Sequence, residues 1–228
     1  MPDAKRPSYI PDIPEPTAVS GEGDAPPGTV VSKMDKRSWL EVLDARHRYA
    51  KNLRVYYQAW DLLGKPSGDF WRWLDRNESP YEAALCPRSE LDHDTVRYCE
   101  PREVERFAVH IQPDGAFCHA AGSGHPRSGA PLQTGDSGFI FVLQRGTVFA
   151  AEKVTVSPRF HHSSFFGGGP VEVAGMLVTD EAGRLLRILP HSGHYRPRDE
   201  HLLYLLRFLR ARNVDLATIE VRLRGTVR

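Results

Sequence analysis

Val171-Glu172-Val173-Ala174-Gly175-Met176-Leu177-Val178-Thr179, then Asp180-Glu181-Ala182-Gly183, then Leu185-Leu186-Arg187-Ile188-Leu189: two apolar runs divided by a turn. Short runs of Val, Leu, Ile and Met bounded by Gly and Asp read as paired strands. Working upstream, Phe139–Gln144 and Thr147–Lys153 have the same character. Phe107, Val109 and Ile111 alternate before the turn Pro113-Asp114-Gly115. Residues 121–138, rich in Gly, Ser and Pro, read as a surface loop.

Downstream, Pro197 and Asp199 open a helix with Leu202, Leu203, Leu205, Leu206 and Leu209 on its buried face. Asn213 is its C-terminal cap, and Ile219–Leu223 is a last edge strand. Before the strands, Trp39, Leu40, Leu43, His47, Ala50 and Leu53 recur at helical spacing, extended by Val55, Tyr56 and Trp60. Gly64–Gly68 stops that helix. Phe70, Trp71, Trp73 and Leu74 form an aromatic knot, and Pro87–Glu105 holds one or two short helices. Helices first and strands later define an α+β class: N-terminal helices packed on a mainly antiparallel sheet, with a C-terminal helix. Residues 1–35 read as a disordered Pro-rich leader, with seven prolines in the first 32 positions, and 36–228 as one domain.

Composition narrows the function classes. The 228 residues are 40% hydrophobic and 26% charged, enough for a core, with 30 basic and 29 acidic side chains and a net charge of +1. No clustered positive field calls for nucleic acid or an anionic membrane. Cys86, Cys99 and Cys118 contain no CxxC pair, which suits a reducing compartment. No run approaches the ~20 apolar residues of a membrane helix. A cytoplasmic protein is expected, with the nucleus or, for a bacterial effector, a host cytosol as further settings.

Chemistry concentrates in two segments at the outer ends of the hairpin. One is Phe160-His161-His162-Ser163-Ser164-Phe165-Phe166-Gly167-Gly168-Gly169-Pro170. The other is Pro190-His191-Ser192-Gly193-His194-Tyr195-Arg196-Pro197. Antiparallel pairing brings those ends together. Imidazoles beside hydroxyls can act as nucleophile–base pairs, and glycines let backbone amides approach a ligand. His161, His162, Ser163, Ser164, Phe165, His191, Ser192, Gly193, His194 and Tyr195 are the expected ligand-binding residues, with Arg48 pointing in from the N-terminal helix. The bland alternative is that these side chains satisfy backbone groups where strands end. No metal is expected: His191-x-x-His194 lacks a helix, and adjacent His161 and His162 diverge if extended. There is no Gly-x-Ser-x-Gly elbow, Walker motif or dinucleotide fingerprint.

Trp39-Leu40-Glu41, Asp44-Ala45-Arg46-His47-Arg48-Tyr49, Asn52-Leu53 and Tyr56-Tyr57 form a collinear pattern with Cys86-Pro87-Arg88-Ser89, Leu91, Tyr98 and Pro101-Arg102-Glu103. Phe141-Val142-Leu143, His162-Ser163-Ser164-Phe165, Ala174-Gly175, Ser192–Pro197 and Asn213-Val214-Asp215-Leu216 continue it. Over residues 37 to 217 this resembles the core of the plant IQ-motif-containing calmodulin-binding (IQM) family; the HSSF and SGHY segments are also similar to C-terminal modules of bacterial polymorphic toxins. The resemblance implies calmodulin binding and stress and hormone signalling in cytoplasm and nucleus. The IQ motif itself is missing, because Ile111-Gln112 runs into Pro113-Asp114-Gly115. Two functions follow. One is a non-catalytic regulatory module binding a ligand or a protein, without cofactor. The other is a transferase using a nucleotide such as NAD, like an ADP-ribosyltransferase, with His162, Ser163, Ser164, Glu172 and Tyr195 as catalytic candidates.

Overall fold

The computed structural model describes residues 12–20, 28–76 and 81–221. The helices are α1 (Thr17–Ser20), α2 (Trp39–Leu43), α3 (Ala50–Leu62), α4 (Phe70–Asp75), α5 (Arg88–His93), α6 (Pro101–Val104) and α7 (Asp199–Arg210). The strands are β1 (Ala108–Ile111), β2 (Phe117–His119), β3 (Phe139–Gln144), β4 (Thr147–Ala151), β5 (Val173–Thr179), β6 (Leu185–Leu189) and β7 (Glu220–Val221). They form one sheet in the order β2-β1-β4-β3-β5-β6-β7, antiparallel except where β7 joins β6 in parallel. The architecture is α+β.

Both faces of the sheet are covered. Along β3, Phe141 and Leu143 face Leu202, Leu205 and Leu209 of α7, while Ile140 and Val142 join Phe160, Phe165 and Tyr195 on the other side. A strand buried on both faces reads as a continuous apolar run, as β3 does. A third cluster, containing Leu53, Tyr56, Trp60, Phe70 and Trp73, holds the N-terminal helices together and confirms the aromatic knot as core.

Helical spacing predicts one continuous helix from Trp39 to Trp60, but the structure breaks it between α2 and α3. Asp44 makes the break: its carboxylate accepts the backbone amides of Arg46 and Arg48, and His47 takes a left-handed φ of 51°. On α7, Leu202, Leu205 and Leu209 are buried as expected, whereas Leu203 is 54% exposed, on the solvent side of the helical wheel. Asn213 takes a positive φ of 60° after α7, as a C-terminal cap does.

Part of the expected leader is packed. Ile13, Val19 and Met34 are buried, and Ser32 bridges to Val171 in both directions of hydrogen bonding. Residues 1–11 and 21–27 of that segment, like 222 and 223 at the end of the expected strand Ile219–Leu223, lie outside the described residues.

Candidate functional site

His161 is extended (φ −124°, ψ 179°) and leads into a single 3-10 turn, His162–Ser164. The Ser164 hydroxyl accepts the His161 amide at 2.9 Å, which fixes the entry to the turn. Successive side chains then diverge. His162 turns onto the sheet, its Nε2 2.8 Å from the Gly175 carbonyl. Only glycine fits at 175, since a Cβ would lie 2.7 Å from the Leu189 carbonyl and 2.9 Å from the Phe141 ring. His161 points the other way, towards His194, with ring centroids 5.0 Å apart, and meets the edge of Tyr49. Antiparallel pairing of β5 and β6, with Met176 opposite Leu189, is what draws the two segments together.

Glu41 of α2 stands between those two histidines and is fully buried. Its Oε1 accepts the Tyr98 hydroxyl at 2.9 Å and the Ser163 hydroxyl at 3.2 Å. Its Oε2 accepts the Ala50 amide at 3.3 Å, the first residue of α3. His194 Nε2 lies 3.5 Å from Oε1. Burial opposes the negative charge of Glu41; His194, then His161 and the Tyr98 hydroxyl, outweigh it and hold the carboxyl below its usual range. Burial lowers His161 to about 4, with His194 adding to the effect and Glu41 opposing it. The imidazole is therefore neutral near pH 7.

One nitrogen of this cluster is an orphan and a second nearly so. His161 Nδ1 is buried with no hydrogen-bond partner, and His194 Nε2, equally buried, has only its 3.5 Å contact to Glu41 Oε1. A buried polar atom without a partner costs about 1–3 kcal/mol. One ligand atom from each of Glu41, His161 and His194 lies within 4.8 Å of the others. Three neighbouring donors of this kind can take a cation or a polar ligand atom.

Beside the cluster opens a cleft of about 240 Å³ lined by Arg37, Ser38, Tyr49, Ala50, Lys51, Arg54, Gly193, His194 and Arg196. Four cationic side chains and the N-terminal end of α3 give it positive potential. Asp35 offsets part of that charge through Arg37 at 2.7 Å and Arg196 at 3.2 Å. A larger cavity of about 490 Å³ lies elsewhere, between Phe107, Phe160 and the stacked pair His119–His125. Volume favours that cavity, but His194 lines the smaller cleft and joins it to the buried Glu41–His161 cluster, which marks it as the site.

The other expected site residues are placed as follows. Tyr195 is buried, its hydroxyl donating to the Gly169 carbonyl at 2.7 Å and its amide to Ser192 Oγ at 3.2 Å. Phe165 is core. Gly193 lines the cleft, and His191 is exposed and not part of its lining. Gly168 adopts φ +80° against Met34 and Val42, and its amide bonds the Ser163 carbonyl, so the triple glycine turns the chain. Glu172 caps the β3–β4 turn through the amides of Arg145 and Gly146, apart from the histidines. Arg48 is buried beside Asp44, Asp75 and Asp92, with contacts of 2.7 Å, 2.7 Å and 3.2 Å; its guanidinium is consumed there and does not reach the cleft. Sequence reading missed Glu41 and Tyr98. The signal for Glu41 was an acid embedded in Trp39-Leu40-Glu41-Val42-Leu43, a helix otherwise apolar.

Comparison with known proteins agrees with the collinear pattern. Residues 105–202 match the IQ motif-containing protein middle domain. The chain is 37% identical over 196 residues to IQ domain-containing protein IQM2 of Arabidopsis thaliana, covering 83% of this chain and 31% of that protein. It is 36% identical over 204 residues to IQM3 of the same plant, covering 85% of this chain and 42% of the relative. It is 35% identical over 191 residues to IQM1, covering 82% and 37%. The chain thus spans between 31% and 42% of the length of these curated relatives. No solved structure matches it at a significant level. By matched middle domain and by identity along most of its length, the chain belongs to the IQM family, of which it carries the core.

Proposed function

We propose that the chain is a regulatory binding module of the IQM type, whose cleft between Tyr49–Arg54 and Gly193–Arg196 takes a small anionic group. The observation that carries this is the buried imidazole pair, His161 with an unpartnered nitrogen and His194 with only a long contact to Glu41, beside a cleft ringed by Arg37, Lys51, Arg54 and Arg196. Burying unsatisfied polar atoms next to an open cationic cleft is costly unless a ligand meets them.

The calmodulin link of the IQM relatives does not extend to this chain through Ile111-Gln112. Ile111 ends β1, and Gln112 opens a turn closed by its amide on the Ala116 carbonyl at 2.8 Å, so the pair is not on a helix. Capture on immobilised calmodulin, with and without calcium, should retain none of this chain. Among the described residues no helix is long and apolar enough to cross a membrane. The three free thiols fit action in a reducing cytosol.

Thermal-shift measurement with pyrophosphate tests the cleft. At about 100 times its dissociation constant the anion should add about 2.7 kcal/mol of stability. A Lys51→Ala/Arg196→Ala double variant that still folds should lose the shift. An unchanged melting temperature for the wild-type chain at saturating pyrophosphate would remove the anion-cleft reading.

A further inference from the structure

The geometry points to Glu41, His161 and His194 as a binding site for a divalent transition-metal ion of the zinc class, with its remaining position open to the basic cleft. The inference deepens the proposed function, since the metal would form the floor of the same cleft.

Three observations converge on it. The donor set is right: two imidazoles and one carboxylate are a common zinc environment, and a third protein ligand leaves room for an exogenous one. The geometry is close. Ligand atoms around a tetrahedral ion with bonds of about 2.0–2.1 Å lie roughly 3.3 Å apart. Glu41 Oε1 and His194 Nε2 are 3.5 Å apart, and all three donor atoms fall within 4.8 Å, so side-chain rotations of about 1 Å complete the set. The nitrogens are available: His161 is 5% and His194 9% exposed, His161 Nδ1 has no partner, and His194 Nε2 meets only the Glu41 carboxylate with which it would share the ion.

The surroundings are those of a supported ligand set. Tyr98 and Ser163 both donate to Glu41 and orient its carboxylate, as outer-shell partners do for metal-binding acids. His161 is held by the Ser164 contact to its amide and by the edge of Tyr49. Backbone bonding of Asp35 to the His194 carbonyl fixes the third ligand's loop. His162 is excluded as a ligand by its bond to Gly175. His194 lines the cleft while Glu41 is sealed beneath it, so an ion here would meet an anionic oxygen arriving between Lys51 and Arg196.

The test uses the full chain stripped with a chelator and titrated with zinc alone by calorimetry, with cobalt(II) absorption reporting coordination. One ion per chain is expected, with intense visible cobalt bands of a four- or five-coordinate nitrogen–oxygen site. His194→Ala, at the cleft edge, and Glu41→Gln should each weaken zinc binding on the order of 100-fold, and Tyr98→Phe about 10-fold. His93→Ala, exposed and outside the ligand group, should leave it unchanged. If Glu41→Gln fails to fold by circular dichroism, His194→Ala decides alone. No stoichiometric uptake by folded wild-type chain, or a His194→Ala chain that binds zinc as tightly as wild type, overturns the site. Pyrophosphate stabilisation without zinc uptake sinks the metal and leaves the anion cleft standing. Zinc uptake with no pyrophosphate shift, even in the loaded chain, does the reverse.

Discussion

At the scale of single residues, the decisive side chains are those whose charge or lone pair has been taken out of water. Arg48 is the clearest. Burial acts against its charge, and Asp75 and Asp44 more than restore it, so the guanidinium is held above its ordinary range. Arg48→Met should destabilise the chain by about 3–5 kcal/mol in urea unfolding, because Asp44 would be left buried without its counter-ion. Its density of charge on an apolar helix drew the sequence reading toward the site, yet Arg48 serves as a clip between α2, α4 and α5. His119 supplies a pH response. Burial first, then His125 and Arg127, lowers it from 6.5 to about 4. The unfolded chain therefore takes up a proton that the folded one refuses, and stability falls as pH drops from about 6.5 to about 4 and levels off below. His161 and His162 are lowered in the same sense, so His119→Phe should flatten only part of the slope in urea midpoint against pH.

At the scale of elements, legibility followed length and locality. The bounds of β3 and β6 were readable because each is a run of consecutive apolar residues closed by a turn. Strand β2, Phe117-Cys118-His119, is too short to show a period, and it forms because β1 and the 131–132 segment flank it. The split between α2 and α3 was hidden since apolar spacing continues across it; only Asp44's side chain betrays the break. The candidate site was half legible. The two histidine segments declare themselves by composition, but Glu41 and Ser163 are 122 positions apart, and nothing local announces that they meet. Two substitutions check the element-level account. Leu209→Ala on α7 should cost about 2–5 kcal/mol, as a fully packed core leucine. Glu172→Ala should cost about 0.5–1.5 kcal/mol by removing the acceptor of the Arg145 and Gly146 amides, with no effect on zinc or pyrophosphate binding.

At the scale of the whole molecule, one sheet carries two apolar clusters and a third holds the N-terminal helices, and the cleft lies where those helices meet the loop after β6. Removing residues 1–20 should lower the unfolding free energy on the order of 3 kcal/mol, because Ile13 and Val19 are buried in two different clusters. Differential scanning calorimetry of the truncated chain checks this. Composition could not foresee it: a few apolar residues among prolines look like solvated chain until the surfaces that receive them exist.

The same N-terminal stretch is also fastened to the loop that bears His194, through the Asp35 amide on the His194 carbonyl and the Ser32 hydroxyl on the Tyr195 carbonyl. Mechanically it is a bridle. Any force or attachment applied ahead of Ser32 is transmitted to an imidazole at the mouth of the cleft, and a fragment trimmed to begin at Lys36 would be slack as well as shorter.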